Sequence, residues 1–125
     1  MKGFDIEFGE PGDGLLRARV RGLRDFGHTI DYWEAILARV GGKRPRGLLV
    51  VDELVGEDLS ASEWKLLVEK MTGRGLEGIP IAHAKPFALD QINYCETYAN
   101  EAGLTARTFR DEDDALAWLR APAAE

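Results

Sequence analysis

The sequence predicts an α/β domain in which an N-terminal β-hairpin is followed by βα units, giving a mixed, mostly parallel sheet packed with helices. Three observations predict it. Two short runs near the start alternate apolar and charged residues with period two. The run GLLVV at 47–51 is continuously apolar, as in a central strand covered on both faces. Helix-like and strand-like segments then take turns along the chain, which is the pattern of βα units.

The elements follow in order. FDIEF (4–8) sets Phe4, Ile6 and Phe8 on one face and Asp5 and Glu7 on the other; LLRARVR (15–21) sets Leu16, Ala18 and Val20 against Arg17, Arg19 and Arg21. GEPGDG between them is rich in turn residues, so the two runs form an antiparallel hairpin whose outer face opposes acids and arginines. From Thr29 to Val40, Ile30, Trp33, Ile36, Leu37 and Val40 recur at helical spacing, with Thr29 as N-cap and Gly41-Gly42 as the stop. The 47–51 strand leads into Asp52. Ser60 and Glu63 then fit a capping box ahead of the Trp64, Leu67, Val68 and Met71 stripe, which Gly73 and Gly75 end. IPIAHA (79–84) reads as a strand. A helix opening at Pro86 shows an apolar face of Ala88, Leu89, Ile92, Cys95, Ala99 and Ala102, closed by Gly103. LTARTF (104–109) is a strand, and Asp111 and Asp114 cap a last helix carrying Ala115, Leu116, Trp118 and Leu119. We expect one domain over 1–120 and a frayed tail over 121–125.

Composition narrows the function classes. The chain has 125 residues, 45% hydrophobic and 30% charged, which is the balance of a globular domain able to bury a core. Its 16 basic and 22 acidic residues give a net charge of −6, which disfavours nucleic acid as a partner. A single cysteine allows no intramolecular disulfide, and no apolar stretch is long enough for a transmembrane segment. The acidic, Gly-rich start does not resemble a signal peptide. The expectation is a cytoplasmic protein.

The element order, together with GLLVVDEL (47–54), Asp58-Leu59-Ser60-Ala61 and the closing FRDEDDALAWLR (109–120), resembles the STAS domain, in particular the SpoIIAA-like group of small bacterial proteins. The resemblance covers Phe4 to Arg120. It implies a non-enzymatic, regulatory protein-interaction module whose partner is another protein, a kinase or an anti-sigma-type regulator. In anti-sigma-factor antagonists of this fold, a serine at a helix start is phosphorylated and switches binding, within an Asp-Ser-Ser-Gly stretch. Asp58 and Ser60 match that stretch; Leu59 stands at its first serine and Ala61 at its glycine. Related folds include lipid-binding modules, which leaves a small apolar or anionic ligand as an alternative.

Each chemistry-bearing feature has a plainer reading beside it. Ser60 is the candidate phosphoacceptor, because a phosphate at a helix N-terminus meets free N–H groups and the positive dipole end. The plainer reading is a structural cap, which the Glu63 match supports, and Glu57, Asp58 and Glu63 would repel a phosphate. Asp52, Glu53, His83, Lys85 and Arg110 are candidates for a ligand rim at the strand carboxyl ends, where open α/β sheets bind ligands, and Asp52 beside His83 would make an acid–base pair. Charged residues favour such positions in any α/β domain, and no nucleophile motif accompanies them. Gly73-Arg74-Gly75-Leu76-Glu77-Gly78 spells GxGxxG, yet it follows a helix and precedes a strand, the reverse of a dinucleotide loop.

His28, His83 and Cys95 lack ligand spacing, so no metal or other cofactor is expected. The arginines at 17, 19, 21 and 24 would bind an anion or simply form a solvated face balanced by Asp5 and Glu7. Tyr32, Trp33, Tyr94 and Tyr98 border helix stripes, as core edge or partner surface. The hairpin edge or these margins would also serve a homodimer.

Overall fold

The computed structural model describes residues 4–56, 59–85 and 94–121, and the side chains of all of these except 94 and 95. Five strands and four helices follow the order β1 (Phe4–Gly12), β2 (Leu15–Leu23), α1 (Phe26–Gly42), β3 (Gly47–Val55), α2 (Ala61–Met71), β4 (Ile81–Ala84), α3 (Tyr94–Glu101), β5 (Ala106–Phe109) and α4 (Glu112–Arg120). The strands form one sheet in the order β1-β2-β3-β4-β5. The β1–β2 pair is antiparallel and the other three pairs are parallel, so the predicted α/β architecture is present.

The sheet adds its parallel strands in one direction, and same-handed crossovers then place all the connecting helices on one face. One core cluster accordingly joins Trp33, Ile36 and Val40 of α1, Trp64, Leu67 and Met71 of α2 and Ala99 of α3 to Ala18, Val20, Leu48, Val50 and Leu54 of the sheet. Among the described residues the second face is covered by α4, through Ala115 and Leu119 packed on Leu15, Leu49, Val51, Ala82 and Ala84. β3 is buried on both sides, which explains its unbroken apolar run.

Several boundaries differ from the sequence reading. The hairpin strands extend through most of the expected loop: Gly12 pairs with Leu15, a register shift falls between Gly9 and Gly12, and only Asp13 and Gly14 form the turn. Both turn residues have positive φ, 60° and 76°, as two-residue hairpin turns of the primed kind require. Pro11 is tolerated because β1 is an edge strand.

The first helix begins one turn before Thr29. Asp25 is its N-cap, accepting from His28 N–H at 2.7 Å, and Thr29 is a buried interior residue whose hydroxyl donates to Asp25 O. An aspartate carboxylate at the helix entry supplies a cap that Thr29 therefore need not make. Gly41 and Gly42 are the last helical residues, not the stop.

β3 runs to Val55 because β2 pairs with it residue by residue, from Leu15 with Gly47 to Leu23 with Val55. α2 has the expected capping box, and Asp111 caps α4 by accepting from Asp114 N–H. Ala102 is exposed in the turn after α3 and not part of a buried face. The predicted helix positions Pro86, Ala88, Leu89 and Ile92, the side chains of Tyr94 and Cys95, the acids Glu57 and Asp58, and the tail over 122–125 lie outside the described residues.

Candidate functional site

The proposed rim is divided by the sheet. Alternation along β3 places Asp52 on the three-helix face and Glu53 on the α4 face. His83, in β4 and opposite Val50, shares the face of Asp52. Its Nε2 lies 3.0 Å from Asp52 Oδ2. Lys85, just past β4, is buried as well, with its backbone N–H donating to Phe109 O and its ammonium 5.2 Å from the Trp64 ring centre. Arg110 is exposed. The structure thus brings Asp52 and His83 together and buries Lys85 near them, while Glu53 and Arg110 stand apart.

The partner that completes this cluster is Arg24. Its Nη1 donates to Asp52 Oδ2 and its Nη2 to Asp52 Oδ1, both at 3.0 Å. Nη2 also donates to Leu54 O, and Leu54 N–H donates to Asp52 Oδ1. The sequence reading grouped Arg24 with the strand arginines as a surface cation, whereas its side chain and that of Asp52 are both wholly buried. The signal was in the sequence. An aspartate two residues past GLLV and followed by another leucine must enter the core, and a buried carboxylate requires a cation.

Trp33 and Trp64 flank His83 edge-on, with ring centres 6.3 and 6.4 Å away. Tyr32 and Trp33 are therefore core residues and not an exposed margin; Tyr98 is half-buried. Two indoles and a lysine explain the electrostatics of the histidine. Burial lowers its pKa below 6.5, the Asp52 bond opposes that, and the Lys85 and Arg24 charges add to the lowering. His83 is then neutral at pH 7, with Nε2–H donating to Asp52. Burial alone would push the Asp52 carboxyl up, but the His83 bond and the charge and bonds of Arg24 outweigh it and hold it well below its ordinary 3.8.

The chemical capacity of Asp52 follows from counting. A carboxylate offers about four acceptor positions. Arg24 Nη1 and His83 Nε2 occupy those on Oδ2, and Arg24 Nη2 and Leu54 N–H occupy those on Oδ1. No position remains to take a proton from a substrate. No protein-family model matches the chain, and no curated protein matches it.

The other candidates resolve separately. Ser60 is exposed at the α2 N-cap; its Oγ accepts from Glu63 N–H at 3.2 Å, and the Glu63 carboxylate accepts from Ser60 N–H at 2.9 Å. Leu59, at the first serine of the motif, packs in the core. The GxGxxG string is a helix-to-strand loop, with Gly73, Gly75 and Gly78 all at positive φ. Among the described residues no group of three or more His, Cys, Asp or Glu side chains is placed to hold a metal ion, and no helix is long and apolar enough to cross a membrane.

Arg17 and Arg19 are half-buried and not part of a solvated face balanced by Asp5 and Glu7, whereas Arg21 stays exposed. Those acids sit opposite Arg21 and Arg19 in register, yet the guanidiniums bond elsewhere. Arg17 and Arg19 grip Glu112 of α4 at 3.0 and 2.7 Å, and Arg19 and Arg21 grip Glu53 at 3.1 and 2.8 Å. Partial burial would push the Glu112 carboxyl up, but the arginine bonds outweigh it and lower its pKa.

Proposed function

We propose that the protein is a non-catalytic regulatory interaction module of the STAS, SpoIIAA-like kind, acting in the cytoplasm on another protein. The observation that carries this reading is the saturation of Asp52. In the buried Asp52–His83 pair every carboxylate acceptor position is filled, so the carboxylate braces the sheet and is not itself available as a general base. What then remains to act is surface. At the carboxyl ends of β2 and β3 the chain exposes Leu23 and Val55, which are paired in register and more than half exposed, and it leads from there to Ser60 at the start of α2. An exposed hydroxyl at a helix start suits a partner whose grip depends on phosphorylation, and an exposed apolar pair suits a partner surface. The partner would be a kinase or an anti-sigma-type regulator, as the motif resemblance implies.

The test is affinity capture with wild type, Ser60→Ala and Ser60→Asp, followed by phosphopeptide mass spectrometry of the native protein. The expected result is a partner held by wild type and Ser60→Ala and released, or newly gained, by Ser60→Asp. Identical capture by all three, with Ser60 never phosphorylated, overturns the switch. Capture of a second copy alone would make the protein a homodimer instead.

A further inference from the structure

The opposite end of the sheet carries a cavity of about 190 Å³ between the hairpin turn, the last turn of α1 and the 43–46 segment. Its floor is apolar, with Leu15 and Leu16 buried and Pro45 half-buried. Its walls carry Arg39, Lys43, Arg44 and Arg46 against the single carboxylate of Glu10. Four cations around one hollow contrast with a chain whose net charge is −6.

These cations are oriented but not neutralised. Among the described residues none of the four has a carboxylate within 4.0 Å. Arg39 lies over the Phe8 ring, 4.5 Å from its centre. Arg44 donates to the carbonyls of Gly75 and Glu77, and Arg46 to that of Asp13. The Glu77 carboxylate feels the charge of Arg44 but accepts its bond from Gly73 N–H. The negative end of the α1 dipole accounts for Arg39 and Lys43 near it. Arg44 and Arg46 lie past that end and are fixed by other contacts. Gly14 allows this: its φ is +76°, and a Cβ there would sit 3.1 Å from Arg46 Cγ and Cδ. Arg46 N–H also donates to Gly14 O at 2.8 Å, so turn and arginine are held together.

Neighbouring like charges repel each other, and an anion among them relieves that repulsion. Guanidinium forks match phosphate oxygens, and a lysine adds a mobile point charge. The volume is below the roughly 300–1,000 Å³ of sites that engulf a drug-sized ligand, so the hollow suits one anionic end of a molecule. We propose that this cavity binds a small molecule carrying two adjacent phosphates, gripped by Arg39, Lys43 and Arg46, with Arg44 adding its charge from its place on the Gly75 and Glu77 carbonyls. The site goes beyond the Ser60 reading and does not depend on it.

The test is titration of inorganic pyrophosphate and, separately, of a nucleoside diphosphate into ¹⁵N-labelled protein at low salt, followed by NMR. Saturable shifts of the Gly14, Lys43 and Arg46 amides are expected, with Kd about 1 mM or tighter. Arg44→Gln/Arg46→Gln should weaken binding about tenfold, and Lys43→Gln about two- to fivefold. Lys43 has no side-chain bond to lose among the described residues, so its variant keeps the fold. Pyrophosphate alone sufficing makes the diphosphate the whole determinant; tighter binding of the nucleoside diphosphate adds its remainder, and either supports the site. Arg107→Gln/Arg110→Gln removes the same charge elsewhere and should change Kd less than about twofold. No saturable shift with either ligand up to roughly 10 mM, or equal weakening by that control pair, overturns the proposal.

Discussion

The Asp52 carboxylate in the middle of the sheet is clamped bidentately by Arg24, each oxygen 3.0 Å from a terminal guanidinium nitrogen, and both side chains are wholly buried. The pair joins the residue just beyond β2 to the body of β3. Arg24 N–H also donates to Val55 O at 2.8 Å, so the β2–β3 pairing continues one residue past the strand end. His83 extends the same network to β4. Three consecutive strands are thus tied near their carboxyl ends by one carboxylate.

Removing one member of the clamp should be severe. Arg24→Met leaves Asp52 charged in the core, and the expected loss is about 3–5 kcal/mol of unfolding free energy, read from urea denaturation. Arg24→Met combined with Asp52→Leu should recover a large part of that loss, because no lone buried charge remains. A single-variant loss below about 1 kcal/mol would show that the clamp does not brace the sheet.

The His83 pair sets a pH dependence. The folded-state pKa of His83 lies below its ordinary 6.5, so as pH falls past that value the unfolded chain takes a proton that the folded protein refuses. The stabilisation is therefore complete above about pH 6.5 and is lost as the pH drops toward the folded pKa, by up to about 1.4 kcal/mol per pH unit. Asp52, lowered from 3.8, adds a second loss below that value. His83→Gln can keep a donor toward Asp52 without titrating, so it should flatten the urea midpoint between pH 7 and pH 5 and leave the more acidic loss intact. An unchanged slope in that variant would assign the dependence to other groups.

The fold was readable because its cues are local. Alternation in 4–8 and 15–21, the unbroken 47–51 run and the Ser60–Glu63 box each depend on neighbours in sequence. The site was only half readable for the opposite reason. Pairing Arg24 with Asp52 spans 28 residues, and the grip of Arg19 on Glu112 spans 93. Alternation did place the strand arginines on one face, but it could not say that α4 would lie over that face. A strand that ends at residue 51 puts Asp52 and Glu53 on one rim. Once β2 is seen to pair as far as Val55, consecutive residues must face opposite ways.

The arginine ladder should behave as a screened network. Glu112→Gln removes the acceptor that Arg17 and Arg19 share, loosening α4 on its face of the sheet. The side chains are about a fifth to a third exposed, so the expected loss is about 1 kcal/mol or less, and it should shrink when salt is raised. Hydrogen exchange should quicken in α4 more than in α2. Uniform quickening would mean that Glu112 supports the whole fold and not the docking of one helix.

Ser60 separates stability from signalling in a way that can be measured. Its hydroxyl caps α2, so Ser60→Ala should cost about 1 kcal/mol. Aspartate caps as well as serine, and its charge favours the positive end of the helix dipole. Glu63 beside it offsets part of that gain, so Ser60→Asp should stay within about 0.5 kcal/mol of wild type in a thermal or urea melt. The two variants therefore move stability and charge independently. Partner binding that follows charge changes with Ser60→Asp and not with Ser60→Ala. Binding that follows only the integrity of the cap does the reverse, and that outcome would make Ser60 a helix cap with no switching role.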